Sequence, residues 1–199
     1  MIMKQLLLLS FTVSIALLLA FCSTDTDSSK VFFSNTIDSA IIKKEKINPE
    51  GVTINKRFNA LPNCERTYVD SNSFGAFLRN LPLKPHGSEV TYYNGGTKRN
   101  NNTYLAVVDL PIGDRDLHQC ADAIMRLRAD YLRSKKQFDA IKFSFNNGFI
   151  ADYSKWRKGF RIHFNGDSFS WKKKVAPSDS EESYWKYLEY VFSFAETWS

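Results

Sequence analysis

The sequence predicts an α+β fold, a single domain in which a mixed or antiparallel sheet packs with a long central helix and a C-terminal helix. Two long segments have helical periodicity, and several short segments alternate apolar and polar residues as half-buried strands do. Tight-turn residues separate neighbouring strand segments, which favours antiparallel hairpins. One strand–helix–strand unit, over residues 103–145, has an order that suits a locally parallel pair.

The first half of the domain contains a short helix, a tight turn and one strand. Ser73 is a good N-cap for the short helix, and Pro82 ends it. Asn94-Gly95, within VTYYNGGTK, is a tight-turn pair. TYLAVVDL, residues 103–110, is apolar and β-branched at its centre, so it predicts a buried strand.

The long helix is predicted over residues 116–134, with Asp114 or Asp116 at its N-cap. Its apolar residues form one stripe at helical spacing, with Cys120 near the centre: Leu117, Cys120, Ile124, Leu127 and Tyr131. Acids and bases spaced along the other side form a ladder that is expected to face solvent: Asp122, Arg126, Asp130 and Arg133.

Three strands and a helix complete the domain. Residues 139–145 and 160–165 alternate, and their apolar side chains are expected to face the core: Ile141, Phe143, Phe145, Ile162 and Phe164. Residues 168–174 form the next strand, after a turn at residues 165–167. The final helix is expected to be capped near Ser178 or Ser180 and to present an apolar stripe: Leu188, Val191, Phe192 and Ala195.

The N-terminus has the features of a secretory signal. Lys4 precedes an apolar run that ends at Cys22, and the polar segment STDTDSSK follows. This order is typical of a bacterial lipoprotein, and it predicts a signal peptide over 1–21, a lipidated Cys22 with a tether over 22–50, and one globular domain over 51–199. We therefore expect an exported protein, lipid-anchored to the envelope at the outer membrane or cell surface. An ordinary signal peptide and an uncleaved anchor are the alternatives.

The net charge and the cysteine content give little information about binding partners or disulfide bonds. The formal net charge of +6 over 199 residues is compatible with nearby lipid head groups or cell-wall polymer. It is not a nucleic-acid signature, so we expect no nucleic-acid partner. Apart from Cys22, only Cys64 and Cys120 are present, and the sequence favours two free thiols over a disulfide. The oligomeric state is left open.

Four segments together resemble a known family: SFGAFLRNLPLKPHG, AVVDLPIGDRDLHQCADAIMRLRADYL, NNGFIADYSKWRKGFRI and YWKYLEYVFSFA. In this order they are similar to exported bacterial proteins known as domain of unknown function 4846, over about residues 60–195. The resemblance implies a lipoprotein-type signal and one α+β domain. It implies no activity and no catalytic residue.

Cys120 is a candidate nucleophile. A thiol in the first turn of a helix is stabilised as its thiolate, and His163, on the polar face of a later strand, is a candidate base. The alternative is that Cys120 is a small core residue, because it lies in the apolar stripe while His118 falls on the opposite face. The sequence favours the core position.

Asp109 is the best candidate for a catalytic acid. It lies where the predicted strand leads towards the long helix, a place where carboxylates often serve acid–base chemistry or glycosidic-bond hydrolysis. The three histidines have no metal-ligand spacing, and no phosphate-binding glycine loop is present, so we expect neither a metal nor a cofactor.

Two segments are candidates for ligand binding. Lys84 and His86 lie in the Pro/Gly-bounded loop LPLKPHGS, where they suit an anionic ligand. Trp156 and Trp171 lie beside basic residues, a combination that suits stacking on sugar rings and binding of acidic polymers. The alternatives are a solvated loop and tryptophans that belong to the core.

The leading functional hypothesis is a non-catalytic binding or accessory module of the envelope, with cell-wall or glycan polymer as its partner. It follows from the lipoprotein-like start, the aromatic and basic surface, and the lack of a strong catalytic motif. The second hypothesis is a cell-wall or glycan hydrolase that uses Cys120 with His163, or Asp109. The sequence does not decide whether the protein is an enzyme.

Overall fold

The computed structural model describes residues 46–99 and 103–195. The described residues from Asn48 onwards form one compact unit. The predicted signal peptide, Cys22 and the tether up to residue 45 lie outside the described residues. No helix in the described ranges is long and apolar enough to cross a membrane.

Five helices and two small antiparallel sheets make up the described part of the chain. The helices are α1 (Ile54–Arg57), α2 (Phe74–Arg79), α3 (Cys120–Ser134), α4 (Tyr153–Arg157) and α5 (Glu181–Phe194). One sheet pairs β1 (Lys142–Ser144) with β2 (Ile150–Asp152), and the other pairs β3 (Phe160–Phe164) with β4 (Phe169–Lys173). A short 3-10 turn, Phe138–Ala140, precedes β1. The predicted α+β class is confirmed.

Local signals placed several elements correctly. The Ser73 hydroxyl accepts a hydrogen bond from the backbone of Ala76 at 3.1 Å, and the Ser180 hydroxyl accepts one from Ser183 at 3.2 Å. Both serines therefore cap the helices that follow them, α2 and α5. Gly166 has a φ of +96° in the β3–β4 turn, a backbone conformation that glycine adopts without strain.

The core lies between α3, α4, α5 and the two hairpins. Four of the five side chains predicted to face inward are buried there: Ile141, Phe143, Phe145 and Ile162. Phe164 is the exception and is exposed, because it ends β3 next to the turn, where its ring packs against those of Phe169 and Phe194. α5 packs its predicted stripe into this core, with Leu188, Val191 and Phe192 buried.

The predicted strand over residues 103–110 is wrong. Only Val108 forms a bridge, with Leu83, and two further hydrogen bonds join the segments, from Lys84 to Val107 and from Asp109 to Pro82. The pairing stays short: Leu83 donates its backbone N–H to Val52 instead, and Pro82 and Pro85 have no N–H to donate. Both named sheets are antiparallel, so the parallel unit is also absent from the described residues.

The start of the long helix differs from the prediction. α3 begins at Cys120 with Gln119 as its N-cap, and the Gln119 backbone donates to the Asp122 carboxylate at 2.8 Å. His118 has a φ of +63°, which is incompatible with a right-handed helix, so the helix cannot start earlier. Asp114 and Asp116 therefore do not cap α3.

The buried face of α3 also differs from the prediction. It consists of Met125, Arg126, Ala129 and Leu132, whereas Ile124 is 68 % exposed. The helix packs against both α2 and α5, so neighbours on two sides determine which residues are covered. Tyr131 contacts Phe74 and Phe77 of α2, while Met125 and Leu132 join the core.

Candidate functional site

A cleft of about 840 Å³ opens where α3, α4 and the first half of α5 meet. Its volume falls within the range of small-molecule binding sites. We call it the α3–α5 cleft. Its walls combine arginines, carboxylates and aromatic rings: Arg126, Asp130, Arg133, Phe138, Tyr153, Asp179, Glu181, Tyr184 and Trp185.

Asp130 is held at the base of this cleft by two partners. The Tyr184 hydroxyl donates to Asp130 Oδ1 at 2.7 Å, and Arg126 Nε donates to Asp130 Oδ2 at 3.3 Å. Arg126 lies one helical turn before Asp130, so α3 by itself positions this ion pair. Tyr184 is 4 % exposed, and its burial, together with the charge of Asp130, raises the pKa of its phenol far above the ordinary value. Tyr184 therefore stays protonated and acts as a fixed donor.

Arg126 is buried, which contradicts its predicted place on a solvent-facing ladder. It is 8 % exposed and donates to the carbonyl of Pro111 as well as to Asp130. Its guanidinium lies 5.0 Å from the ring centre of Trp185, so the cation is covered by an aromatic face and neutralised by a carboxylate. A buried arginine requires partners of this kind.

Two further arginine–carboxylate pairs lie at the rim. Arg133 donates to Glu181, and it also donates to the Asp179 backbone carbonyl at 3.2 Å. Arg157 holds the Asp179 carboxylate through both Nε and Nη2. This hydrogen bonding lowers the pKa of Asp179, so its carboxylate stays ionised.

The charges of the cleft nearly cancel. Three cations face four carboxylates: Arg126, Arg133 and Lys136 against Asp130, Asp179, Glu181 and Glu182. Burial also raises the pKa of Tyr153, whose phenol stays neutral. The cleft is therefore a set of fixed donors, acceptors and ring faces with little net charge. No cluster of three or more metal-ligating side chains occurs in the described ranges.

His118 packs against Trp185, one of the residues that line the cleft. Its ring centre is 6.4 Å from that of Trp185 and 5.4 Å from that of Phe192. Its Nε2 is buried and has no hydrogen-bond partner in the described part of the chain. Burial, followed by the charge of Arg126, lowers the pKa of His118, so the imidazole is neutral near pH 7.

The three predicted catalytic candidates lie outside the cleft. Cys120 is exposed at the first position of α3, so its predicted place in the core is wrong. His163 lies on β3 opposite Ser170, and Asp109 is exposed. Within the described ranges, no hydrogen bond or ion pair joins Cys120 to His163. Cys64 and Cys120 are both free thiols.

The predicted ligand-binding residues are also dispersed. His86 is exposed and Lys84 is half-buried, with its carbonyl 3.3 Å from Arg57 Nη2. Trp156 is 1 % exposed and therefore belongs to the core, where its indole N–H is 2.9 Å from the carbonyl of Ser183. Trp171 is half-buried on β4.

A family model described as Domain of unknown function (4846) matches residues 54–199. The match covers α1 to α5 and every residue of the α3–α5 cleft. The chain belongs to this family. The resemblance predicted from the sequence is thereby confirmed, while the segment predicted to be a signal peptide lies outside the matched residues. No curated protein and no solved structure was found to match the chain.

In this member of Domain of unknown function 4846, the main site residues are ones that sequence reasoning missed. Arg126, Asp130 and Arg133 lie at helical spacing, but a charged stripe by itself predicts a solvated face. Tyr184 comes from a helix 54 residues away in sequence from Asp130. The contact between Tyr184 and Asp130 joins two different helices, so the periodicity of neither helix reveals it.

Proposed function

We propose that this protein is a binding module whose α3–α5 cleft takes a neutral, polyhydroxylated ligand such as a glycan segment of the cell envelope. One observation carries the proposal: every arginine that lines the cleft is bound to a carboxylate, next to aromatic rings. Sugar hydroxyl groups both donate and accept hydrogen bonds, so they suit paired charges of this kind. Ring faces such as Trp185 suit the apolar face of a sugar.

The charge of the cleft also favours a neutral ligand over a polyanion. Arg126 and Arg133 are neutralised by Asp130 and Glu181, and the other two carboxylates of the lining, Asp179 and Glu182, are paired with Arg157 and Lys186. An anionic polymer would gain little attraction from such a surface.

A hydrolase has less support. General acid catalysis needs a carboxyl group that holds a proton near neutral pH. The hydrogen bonds from Arg157 lower the pKa of Asp179 and keep it ionised, and both oxygens of Asp130 already accept hydrogen bonds from Tyr184 and Arg126. Asp109, Cys120 and His163 do not line the cleft.

The test is calorimetric titration of the full-length chain, purified in detergent, with soluble neutral oligosaccharides from cell-wall and surface glycans. We expect saturable binding that weakens about tenfold when Trp185→Ala removes one ring face, equivalent to about 1.4 kcal/mol. Tyr92→Ala is the matched control, because Tyr92 is exposed and lines no part of the cleft. Absence of binding to every oligosaccharide, or equal losses in both variants, would contradict the proposal. New reducing ends in the same samples would favour the hydrolase instead.

We also propose that the protein is exported and lipid-anchored through Cys22. The apolar run before Cys22 and the polar segment after it support this proposal. Metabolic labelling with palmitate tests it in cells that express the wild type or Cys22→Ala. Label that persists in the variant would rule out Cys22 as the acylated residue.

A further inference from the structure

A second cavity, of about 480 Å³, lies beside the second half of α5. It is separate from the α3–α5 cleft and shares no lining residue with it. We call it the Arg161 cavity. Its lining includes three cations, one carboxylate and three aromatic residues: Arg115, Arg161, Lys186, Glu189, Trp156, Tyr190 and Phe194.

Arg161 is fixed in place by backbone and ring contacts. Its Nη1 donates to the carbonyl oxygens of Trp156 and Phe160, at 3.0 Å and 2.7 Å. Its guanidinium lies 4.1 Å from the ring centre of Trp156, which is itself buried. The side chain is therefore held rigidly before any ligand arrives, which lowers the entropic cost of binding.

The remaining edge of the Arg161 guanidinium has almost no partner. Nη2 reaches only the Ser183 hydroxyl, at 3.5 Å, and no carboxylate in residues 46–99 or 103–195 lies within 4.0 Å of the group. Arg157 shows what this edge can do, because it grips Asp179 through Nε and Nη2 together. The Nε–Nη2 fork is the geometry in which arginine binds carboxylates and phosphates in a bidentate manner.

The charge around Arg161 differs from that around the other arginines of the two sites. Burial lowers the pKa of Arg161, whereas the hydrogen bonds that Arg157 donates to Asp179 raise the pKa of Arg157. Arg115 forms an ion pair with Glu189 at 3.9 Å. Because the Arg115 side chain is largely exposed, water screens this pair and it is weak. Lys186 is paired with Glu182 at 2.6 Å, so the positive charge that remains in the lining is that of Arg161, beside the ring of Tyr190.

We propose that the Arg161 cavity binds an anionic group, a carboxylate or a phosphate, on the Nε–Nη2 edge of Arg161. The ring of Tyr190 provides an apolar wall for the body of the ligand, and Arg115 adds a second, exposed cation at the opening. An acidic sugar and a phosphorylated small molecule share this chemistry. The proposal does not depend on ligand binding in the α3–α5 cleft.

The experiment titrates the full-length chain, in detergent, with glucuronate, glucose and inorganic phosphate, followed by calorimetry and by the NMR signals of the arginine Nε–H groups. We expect glucuronate to bind and to shift the Arg161 Nε–H signal, whereas glucose leaves that signal unchanged. Binding of phosphate as well identifies a general oxyanion site, and binding of glucuronate alone identifies a carboxylate site. Failure of both anions to bind overturns the proposal.

Variants separate the role of the fork from the role of charge. Arg161→Lys keeps the charge but loses the bidentate edge, so the affinity for glucuronate should fall about tenfold, and Arg161→Gln should lower it further. Arg99→Gln removes an exposed arginine that lines neither cavity, so it should leave the affinity unchanged. Unaltered affinity in folded Arg161→Gln overturns the proposal.

If the Arg161 variants do not fold, Arg115→Gln provides a second test of the same proposal. Arg115 is exposed, so its removal should spare the fold and lower the affinity a few-fold. Equal affinities in Arg115→Gln and Arg99→Gln, with no shift of the Arg161 Nε–H signal in the wild type, overturn the proposal.

Discussion

Replacing Tyr184 by phenylalanine removes one hydroxyl group from the base of the α3–α5 cleft and leaves the ring in place. The lost contact is the 2.7 Å hydrogen bond to Asp130, a charged acceptor. Hydrogen bonds to charged groups contribute about 1.5–3 kcal/mol. Asp130 keeps Arg126 as a partner and its side chain is 23 % exposed, so water replaces part of the loss. We expect Tyr184→Phe to lower the free energy of unfolding by about 1.5 kcal/mol.

Urea denaturation measures this change. With a slope of about 2 kcal/mol per molar urea, the midpoint of unfolding should fall by about 0.75 M. Tyr92→Phe is the matched control, since the exposed Tyr92 loses the same atom and should stay within about 0.5 kcal/mol of the wild type.

A double-mutant cycle with Asp130→Ala identifies the partner of the hydroxyl. If Asp130 accepts the hydrogen bond, Tyr184→Phe should cost about 1 kcal/mol less in the Asp130→Ala background. An equal cost in both backgrounds would refute the reasoning, because the hydroxyl would then stabilise the protein through another contact.

Three further changes test the packing around the cleft. Gly113→Ala should destabilise the protein by at least about 1 kcal/mol more than Gly148→Ala. Both glycines have a positive φ, but only at Gly113 would the added Cβ clash, because it would lie 2.7 Å from the Trp185 ring. Equal thermal midpoints of the two variants would refute this prediction. Burial and a nearby arginine lower the pKa of His118 in the folded protein. Below a pH of about 6.5 the unfolded chain therefore binds more protons at this residue than the folded chain does. The free energy of unfolding should therefore decrease from pH 6.5 downwards, and His118→Phe, unlike His86→Gln, should flatten this dependence in denaturation series across pH. Cys120→Ala should change the free energy of unfolding by less than about 0.5 kcal/mol, whereas a core thiol would cost more.

Elements with strong local signals could be predicted from the sequence. Ser73 and Ser180 cap their helices through hydrogen bonds to residues three positions later, and Gly166 supplies the positive φ of its turn. The alternation of residues 139–145 and 160–165 identified the strands and most of their buried side chains. In these cases the deciding interaction lies within a few residues, so one sequence contains the necessary information.

The candidate site depended on contacts that are distant in sequence. Cys120 is exposed and Arg126 buried because α3 packs against α2 and α5 at once, and periodicity cannot specify which neighbours cover a helix. The segment over residues 103–110 looks like a strand, but its partner segment contains Pro82 and Pro85, which have no N–H, and Leu83 donates to Val52 instead.

The sequence by itself determined the α+β class, the family, the caps of α2 and α5 and the hairpin turn, since each of these is encoded in short motifs or in an ordered set of segments. Only the tertiary structure decided which charges are buried and which are paired. The Tyr184–Asp130 bond and the Arg157–Asp179 pair join different elements, and Arg161 lacks a comparable carboxylate among the described residues. The physical reason is that the energy of a charge depends on the groups packed around it, and packing brings together residues that the sequence keeps apart.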